Sequence, residues 1–486
     1  MKRKISKTLS IFFAVALILC AAPLSLFAEL KLPALGLPEW CEEKILSLTS
    51  LVSNSSVTSL AASENVLQFI DNKVYKCDQS ASGTVVIPST LNGNPVIGIW
   101  SGAFEDCAGI TGITIPNSVK SIGDGAFYGC SGLKSITIPS SVTSVGGSSF
   151  GWGEMFGNCT SLTNLTVEGD TKFSVDTFQG CDALTSLTIG SEVTDATNIL
   201  KALYHGNISV DITSIQVDPD SAFYSSEGSV LFSKDKSTLV SYPIALAAQS
   251  YVVPDSVSII HDGAFENCQN LTDITLSDSV TTIGCDAFRN CRSLSSIVIP
   301  AGVTSVDGYA FSDCTSLSRV TIESAISSIS KYMFCDCSAL TSISIPKSVT
   351  QIGDDAFAGC TSLTSVTIPE SVIQIDERAF AECTSLTSVT IPKTMKVIAD
   401  DAFEESPAVT IRCYEDSVAH RYALKYLIDY ELISAFSDDY KLINESPSPN
   451  SSSGLWVALI AVLGIAVVLV VAVVALKRKS RIKISV

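Results

Sequence analysis

The stretch that decides the fold runs from Cys360 to Cys383 and reads CTSLTSVTIPESVIQIDERAFAEC. It contains an alternating run, Val366-Thr367-Ile368, which ends at Pro369, and further on the pair Ala379-Phe380. Alternation of apolar and polar residues is typical of a strand with one buried face, and proline ends a strand because it has no N–H to donate. The stretch therefore predicts a short strand, a turn and a second apolar segment that returns toward the same core.

The same pattern recurs along the chain with an interval of 23 residues. Phenylalanines at this interval are Phe265, Phe288, Phe311, Phe334, Phe357, Phe380 and Phe403, and earlier in the chain Phe104 and Phe127. Phe156 follows 29 residues after Phe127, and Phe178 follows 22 residues after that. One such unit cannot bury its own apolar side, whereas a stack of units forms a continuous core. The repetition predicts a β-rich solenoid in which Leu, Val, Ile and Phe each form a column.

Composition narrows the class of protein further. The chain has 486 residues with 16% charged and 46% hydrophobic side chains, which excludes a disordered chain. Its formal net charge of −18 argues against a nucleic-acid partner, because such proteins carry a basic patch or domain. We therefore expect no nucleic-acid binding.

The units follow the form L-x-x-[IV]-x-IP-x-x-V-x-x-I-x-x-x-AF-x-x-C. This pattern resembles the BspA-like leucine-rich repeats of bacterial cell-surface proteins, and the resemblance extends from about Phe69 to Ile433. It implies a repeat solenoid, a leucine-rich repeat array of 23-residue coils with capping ends, at residues 69–434. It also implies a surface protein that binds host, matrix or neighbouring-cell molecules.

Three parts of this array depart from the regular unit. Within residues 185–260 the template fades, and we predict irregular coils with two strands around Lys234–Lys236. Strands and turns from Phe69 to Val96 predict an N-terminal cap. An amphipathic helix from about Ser417 to Leu427, with Asp416 or Ser417 as its N-cap, predicts the C-terminal cap.

The two ends of the chain have the features of export and membrane-anchoring signals. A basic start, an apolar run and a small residue at Ala28 predict a signal peptide, with a lipoprotein cut before Cys20 as the alternative. An uncharged run from Leu455 to Leu476, followed by a basic cluster, predicts one transmembrane helix with the long N-terminal part outside the cell. The predicted segments are signal peptide 1–28, N-terminal flanking segment 29–68, flexible stalk 435–454, transmembrane helix 455–476 and basic cytoplasmic tail 477–486.

Most of the 16 cysteines follow the repeat. Ten lie three residues after a repeat phenylalanine, at positions 107, 130, 159, 181, 268, 291, 314, 337, 360 and 383. Stacked side chains point the same way rather than at each other, which favours a column of buried, unreactive thiols. Disulfide pairing and metal binding remain the alternatives.

Features that would indicate catalysis are sparse. The three histidines, His205, His261 and His420, lie far apart in the repeat frame, and a serine or cysteine nucleophile needs a nearby base. Recurring aspartates, such as those at 354, 355, 400 and 401, predict solvated turns rather than a calcium site. We expect a non-enzymatic protein without a cofactor or metal. A surface enzyme with its site in residues 190–250 is the remote alternative.

The outward positions of the predicted strands carry a ribbon of hydroxyl side chains. Between the two buried strand residues, nine of ten units have Thr or Ser, the exception being Val298. The candidate ligand-binding residues are Thr275, Thr321, Ser344, Thr364, Ser365, Thr367, Thr387, Ser388 and Thr390. Threonine also favours cross-strand packing in exposed sheets without any ligand, so a purely structural role stays open.

These patterns together predict a membrane-anchored surface protein that uses its repeat face for adhesion to an extracellular protein or glycan. A structural spacer of the cell envelope, without a specific ligand, is the alternative hypothesis.

Overall fold

The computed structural model describes residues 66–146, 154–204 and 210–433, which form a β-solenoid of coils of about 23 residues. This architecture confirms the predicted repeat array. The helices in these ranges are α1 (Thr197–Tyr204) and α2 (Val418–Tyr426). The strands, in chain order, are β1 (Leu67–Ile70), β2 (Lys73–Cys77), β3 (Gly83–Val86), β4 (Thr90–Leu91), β5 (Asn94–Pro95), β6 (Gly98–Ile99), β7 (Ile110–Thr114), β8 (Ser121–Ile122), β9 (Ser135–Ile138), β10 (Ser144–Val145), β11 (Asn164–Val167), β12 (Ser186–Ile189), β13 (Ser214–Val217), β14 (Tyr224–Glu227), β15 (Val230–Ser233), β16 (Thr238–Ser241), β17 (Ser250–Val252), β18 (Ile259–Ile260), β19 (Asp273–Thr275), β20 (Thr282–Ile283), β21 (Ser296–Ile299), β22 (Ser305–Val306), β23 (Arg319–Ile322), β24 (Ser328–Ile329), β25 (Gln351–Ile352), β26 (Ser365–Thr367), β27 (Gln374–Ile375), β28 (Ser388–Thr390), β29 (Val397–Ile398), β30 (Thr410–Cys413) and β31 (Asp429–Leu432).

Regular coils contribute strands to two parallel ladders. The first ladder is a series of four parallel sheets along one side of the solenoid, which contain β3, β7, β9, β11, β12 and β13, then β17 and β19, then β21 and β23, and then β26, β28, β30 and β31. The second ladder contains two-residue strands such as β25, β27 and β29. Equivalent repeat positions pair across neighbouring coils, as Val366 with Val389 and Thr367 with Thr390. Every coil therefore faces the core with the same set of side chains.

The turn that carries Ala-Phe forms the third side of the coil. Its backbone also bonds from coil to coil, since the Phe357 N–H donates to the Ala379 carbonyl at 2.9 Å. The residues two before and two after this phenylalanine, Asp355 and Gly359, have left-handed φ angles of 50° and 70°. Glycine, asparagine and aspartate adopt this conformation most readily, which explains their recurrence two residues after the repeat phenylalanine. The turn therefore depends on glycine, asparagine or aspartate at this position, and the apolar residues of the repeat pattern do not specify that choice.

The repeat phenylalanines form the predicted column at the centre of the core. Phe357 is fully buried, and its ring centroid lies 5.6 Å from that of Phe334 and 5.2 Å from that of Phe380, with nearly parallel planes. Tyr242 occupies the same position ahead of Phe265, with ring centroids 5.3 Å apart. The column thus continues into the region where the sequence template fades.

The irregular region is more ordered than the sequence indicates. Strands β12 and β13 still pair in register within the first ladder, as Leu187 with Ile215. The predicted strands around Lys234–Lys236 are confirmed as β15 and β16, which pair antiparallel through Phe232 and Leu239. Helix α1 was not predicted; it buries Ile199, Leu200 and Leu203 against the core.

Both predicted caps contain the expected elements. At the N-terminal end, β1 and β2 form an antiparallel hairpin. At the C-terminal end, the Ser417 side chain accepts a hydrogen bond from the His420 N–H at 3.1 Å, and α2 ends at Leu427 in a left-handed conformation. Strand β31 then adds to the first ladder beside β30.

The predicted signal peptide, N-terminal flanking segment up to residue 65, stalk, transmembrane helix and cytoplasmic tail lie outside the described residues. In the part of the chain that the structure describes, neither helix has the length and apolar character needed to cross a bilayer.

Truncation of one column residue should destabilise the solenoid. Phe357→Ala removes a fully buried ring that contacts two others, and we expect the free energy of unfolding to fall by about 3–5 kcal/mol. Denaturant titration followed by circular dichroism measures this change. The exposed Thr367→Ala is the matched control, and a Phe357→Ala curve that coincides with it would refute the column's energetic role.

Candidate binding face

The outward side of the first ladder, here called the outward face, presents the predicted hydroxyl ribbon. Thr275, Thr321, Ser344 and Thr367 are exposed, whereas Thr390 is half-buried. Their spacing follows the ladder, because the strand register places equivalent residues side by side, as Thr367 and Thr390. The structure thus places equivalent candidate residues in rows on one face, Ser365 beside Ser388 and Thr367 beside Thr390, at about 4.8 Å per strand.

The hydroxyls of two candidate residues donate hydrogen bonds to the neighbouring coil. Thr364 Oγ1 donates to the Thr341 carbonyl at 3.3 Å, and Thr387 Oγ1 donates to the Thr364 carbonyl at 3.1 Å. In each case the acceptor lies 23 residues earlier, in the preceding coil. The same bond recurs beside the second ladder, where Thr304 Oγ1 donates to the Thr281 carbonyl at 3.1 Å. Part of the hydroxyl content therefore holds neighbouring coils together.

The other candidate hydroxyls have no such partner. Among the described residues, no hydrogen bond involves the side-chain oxygens of Thr275, Thr321, Ser344, Ser365, Thr367, Ser388 and Thr390. A hydroxyl can both donate and accept, so this row offers both functions to a ligand.

Few charges and some apolar surface accompany these hydroxyls. On the outward face Val252 and Val298 are 69% and 47% exposed. Arg412, at the C-terminal end of the face, contacts Glu431 with its Nε 3.3 Å from Oε2. The face is thus a mixed polar and apolar strip on an otherwise acidic protein.

The turns on the third side contain interactions that the sequence reading missed. Asp355 was expected in a solvated turn, but it is buried, and its Oδ1 lies 3.1 Å from Arg378 Nε. Arg378 also contacts Glu382 and Glu404. The expectation of a solvated turn is therefore wrong for Asp355, because an arginine one coil later pairs with it. By contrast, Asp400 stays at the surface and contacts Lys425.

A stacked tyrosine pair lies beside this ion pair. The rings of Tyr309 and Tyr332 are parallel with centroids 4.4 Å apart, and the Arg289 guanidinium lies 5.7 Å from the Tyr309 centroid. A hydrogen bond with Asp355 raises the pKa of Tyr332 to about 12. Both tyrosines have left-handed φ angles at the position that Gly263 occupies in its coil. This replacement of glycine by tyrosine is the signal that could have identified the pair.

The cysteine column has a structural role that the sequence did not indicate. Eight of the ten repeat thiols donate to the carbonyl of the preceding coil's phenylalanine, with S–O distances of 3.0–3.2 Å. At the equivalent position of the last repeat, Ser406 Oγ donates to the Phe380 carbonyl at 2.8 Å. All ten thiols are buried and unpaired in the structure. Burial raises the pKa of the Cys383 thiol to about 12 and that of Cys360 well above its ordinary value.

Two of the three histidines lie within the described residues, and both have backbone contacts. His420 Nδ1 accepts from the Asp416 N–H within the C-terminal cap, and His261 lies in a turn beside Asp262. In the irregular region, a cleft between Tyr204, Asp211 and Asn267 has neither histidine nor cysteine among its described lining residues. The described ranges contain no group of three His, Cys, Asp or Glu side chains arranged to hold a metal ion.

Alkaline pH should destabilise the column. Because the folded chain raises the thiol pKa values, thiols ionise first in the unfolded chain, and stability is lost as the pH rises above about 9. We expect the free energy of unfolding to fall between pH 8 and pH 10, with each buried thiol contributing about 1 kcal/mol.

Cys360→Ser is the control for this prediction, because Ser406 already shows that a hydroxyl fits the site. Denaturant titrations at both pH values should give this variant a smaller loss than the wild type, by about 1 kcal/mol. Equal losses in the two proteins would contradict the assignment.

Comparisons with known proteins agree with this architecture. The model of the BspA type leucine-rich repeat region matches in six copies at residues 97–227, 245–364 and 352–421, which together span more than half of the chain. No curated protein matches the chain.

Solved structures provide further similarities. A leucine-rich repeat protein from Eubacterium ventriosum is 21% identical, with 72% of this chain and 94% of that chain covered and a TM-score of 0.49. Another from Bacteroides ovatus is 24% identical, with 78% and 98% covered and a TM-score of 0.46. A leucine rich cell surface protein from Faecalibacterium prausnitzii is 21% identical, with 81% and 100% covered and a TM-score of 0.33.

The six repeat matches coincide with the coils, the phenylalanine column and the cysteine column described above. On this basis, the chain belongs to the BspA type leucine-rich repeat family.

Proposed function

We propose that this protein is a membrane-anchored cell-surface adhesion protein, which binds an extracellular protein or glycan through the outward face. The observation that carries the proposal is the row of hydroxyls without partners in the described chain, which includes Thr275, Thr321, Thr367 and Thr390. Buried positions in each coil are explained by stacking, but these outward-facing hydroxyls make no hydrogen bond within the described chain.

Recognition would rely on many weak contacts along the row. Hydroxyls supply donors and acceptors, while exposed side chains such as Val252 and Val298 supply apolar contact. A repetitive face binds a repetitive or extended ligand at several points, and display of many copies on one cell adds multivalent binding. Such a face suits a glycan chain or an extended protein segment.

Anchoring rests on the two ends of the sequence. Residues 1–28 have the pattern of a signal peptide, and residues 455–476 form an uncharged run long enough to span a bilayer. The basic residues 477–486 would remain in the cytoplasm by the positive-inside rule. We therefore propose a single-pass membrane protein whose solenoid lies outside the cell.

A structural spacer without a specific ligand is the second candidate. The hydrogen bonds of Thr364 and Thr387 to the preceding coil favour it, because they show that some threonines serve the fold alone. Binding measurements distinguish this candidate from the adhesion protein.

Charge placed on the outward face should abolish ligand capture. The triple variant Thr321→Lys, Thr367→Lys and Thr390→Lys introduces three ammonium groups into the row, where they would disrupt close polar contacts. The full chain, tested on an array of immobilised extracellular matrix proteins and glycans, should bind at least one probe, and the variant should lose that binding.

The matched control is Ser316→Lys, Ser362→Lys and Ser385→Lys, which adds equal charge at the turns after the cysteine column. This control should keep wild-type binding. Equal binding by the outward-face variant and the wild type would place the site elsewhere, and a wild-type chain that binds no probe would favour the spacer.

A further inference from the structure

The C-terminal end of the solenoid leaves part of its core uncovered. In β31, Tyr430 and Leu432 pair with Ile411 and Cys413 of β30, two buried residues, so they occupy the inward-facing positions of the last coil. They are nevertheless 40% and 48% exposed. Leu427, at the end of α2, is 92% exposed. Solenoids need a capping element at each end, and the cap that contains α2 leaves these apolar side chains uncovered.

The same strand has an unpaired edge. Among the described residues, β31 pairs only with β30, and all four of its residues are exposed. The backbone N–H and C=O groups on its other side therefore have no strand partner in the described chain. An open edge of this kind is a template for one more strand.

The sequence that follows supplies a matching segment. Residues 429–433 read Asp-Tyr-Glu-Leu-Ile, and residues 439–443 read Asp-Tyr-Lys-Leu-Ile. The two segments differ only at the central position, where Glu431 corresponds to Lys441. The second segment thus has the alternation of the last strand and the opposite charge at its centre.

We propose that residues 439–443 add to the open edge of β31 as an antiparallel strand and complete the C-terminal cap. The intervening residues 434–438 are five in number, a length found in hairpin loops, whereas a parallel connection requires a dozen residues or more. In the symmetric register, Lys441 lies opposite Glu431. Tyr440 then lies opposite Leu432, and Leu442 opposite Tyr430.

This register gives favourable side-chain contacts on both faces of the new strand pair. On the inward face, Tyr440 and Leu442 cover the exposed Tyr430 and Leu432. On the outward face, Lys441 joins Glu431, which already contacts Arg412. Opposite charges therefore alternate across three strands, and such cross-strand pairs are favourable.

A second copy of the chain fits the same edge less well. Antiparallel pairing of two β31 strands would bring Asp429 and Glu431 of one copy beside the same acidic residues of the other. Like charges placed opposite each other in a sheet are destabilising. The chain's own segment is also tethered five residues away, which gives it a high effective concentration.

The added strand would define how the solenoid meets the rest of the chain. With residues 439–443 bound to β31, only residues 444–454 remain between the cap and the apolar run 455–476. The segment predicted as a stalk would then begin at residue 444 rather than at residue 435.

Hydrogen exchange of the full chain, followed by mass spectrometry, tests this proposal. In the wild type, amides of residues 429–433 and 440–443 should both be protected from exchange. Lys441→Glu places like charges opposite each other and should reduce protection in both segments several-fold. The triple variant Arg412→Glu, Glu431→Lys and Lys441→Glu, which again places opposite charges side by side across all three strands, should restore it, and Lys441→Arg should behave as the wild type.

The possible results distinguish the chain's own segment from a second copy of the chain as the partner of β31. Rapid exchange of residues 440–443 in the wild type would overturn the proposal, as would equal protection in Lys441→Glu and the wild type. Protection that appears only at concentrations where light scattering detects a dimer would assign the edge to a second copy and also overturn it. Ligand capture on the outward face is a separate readout, so loss of one result leaves the other intact.

Discussion

A coil of about 23 residues cannot bury its own apolar side, so every other feature of this protein depends on stacking the coils in register. Backbone hydrogen bonds join neighbouring coils on each side of the stack. Parallel ladders join the strands, and the Phe357 N–H donates to the Ala379 carbonyl at the turn. Side chains add two further links, since Thr387 Oγ1 and Cys360 Sγ both donate to carbonyls of the preceding coil. The phenylalanine column lies at the centre of these bonds, which explains why its position is fixed while loop lengths vary.

The same constraint separates hydroxyls that bond neighbouring coils from hydroxyls that make no such bond. In sequence, Thr364 and Thr387 resemble the other hydroxyl residues beside them. Their hydroxyls, however, donate hydrogen bonds to carbonyls of the preceding coil. Thr367 and Thr390, three positions further along, make no hydrogen bond through their side chains within the described chain. A surface made of the second kind can change its side chains without loss of the stack.

Periodicity in the sequence was sufficient to predict the solenoid and the phenylalanine column, and amphipathic spacing predicted the cap helix after Ser417. The strands flanking Lys234–Lys236 were predicted from the resemblance to the hairpin-bearing coils of such arrays. The missed features are contacts between coils, and alternation within one unit carries no information about these. Asp355 was expected at the surface because Arg378, its partner, lies 23 residues away. Helix α1 was missed because a single eight-residue segment has no periodic copy to support it. The candidate face was predicted as a row of hydroxyls, but the division between bonded and unbonded hydroxyls required coordinates.

Removal of one whole coil tests the dependence on register most directly. Deletion of residues 337–359 joins Asp336 to Cys360 and removes 23 residues, so each column loses one member while the remaining members stay aligned. The account predicts a folded protein with the circular dichroism of the parent, its remaining repeat thiols still protected from reagents, and a smaller denaturant dependence in proportion to the lost surface. A shortened chain that unfolds, or that exposes its repeat thiols under native conditions, would contradict it.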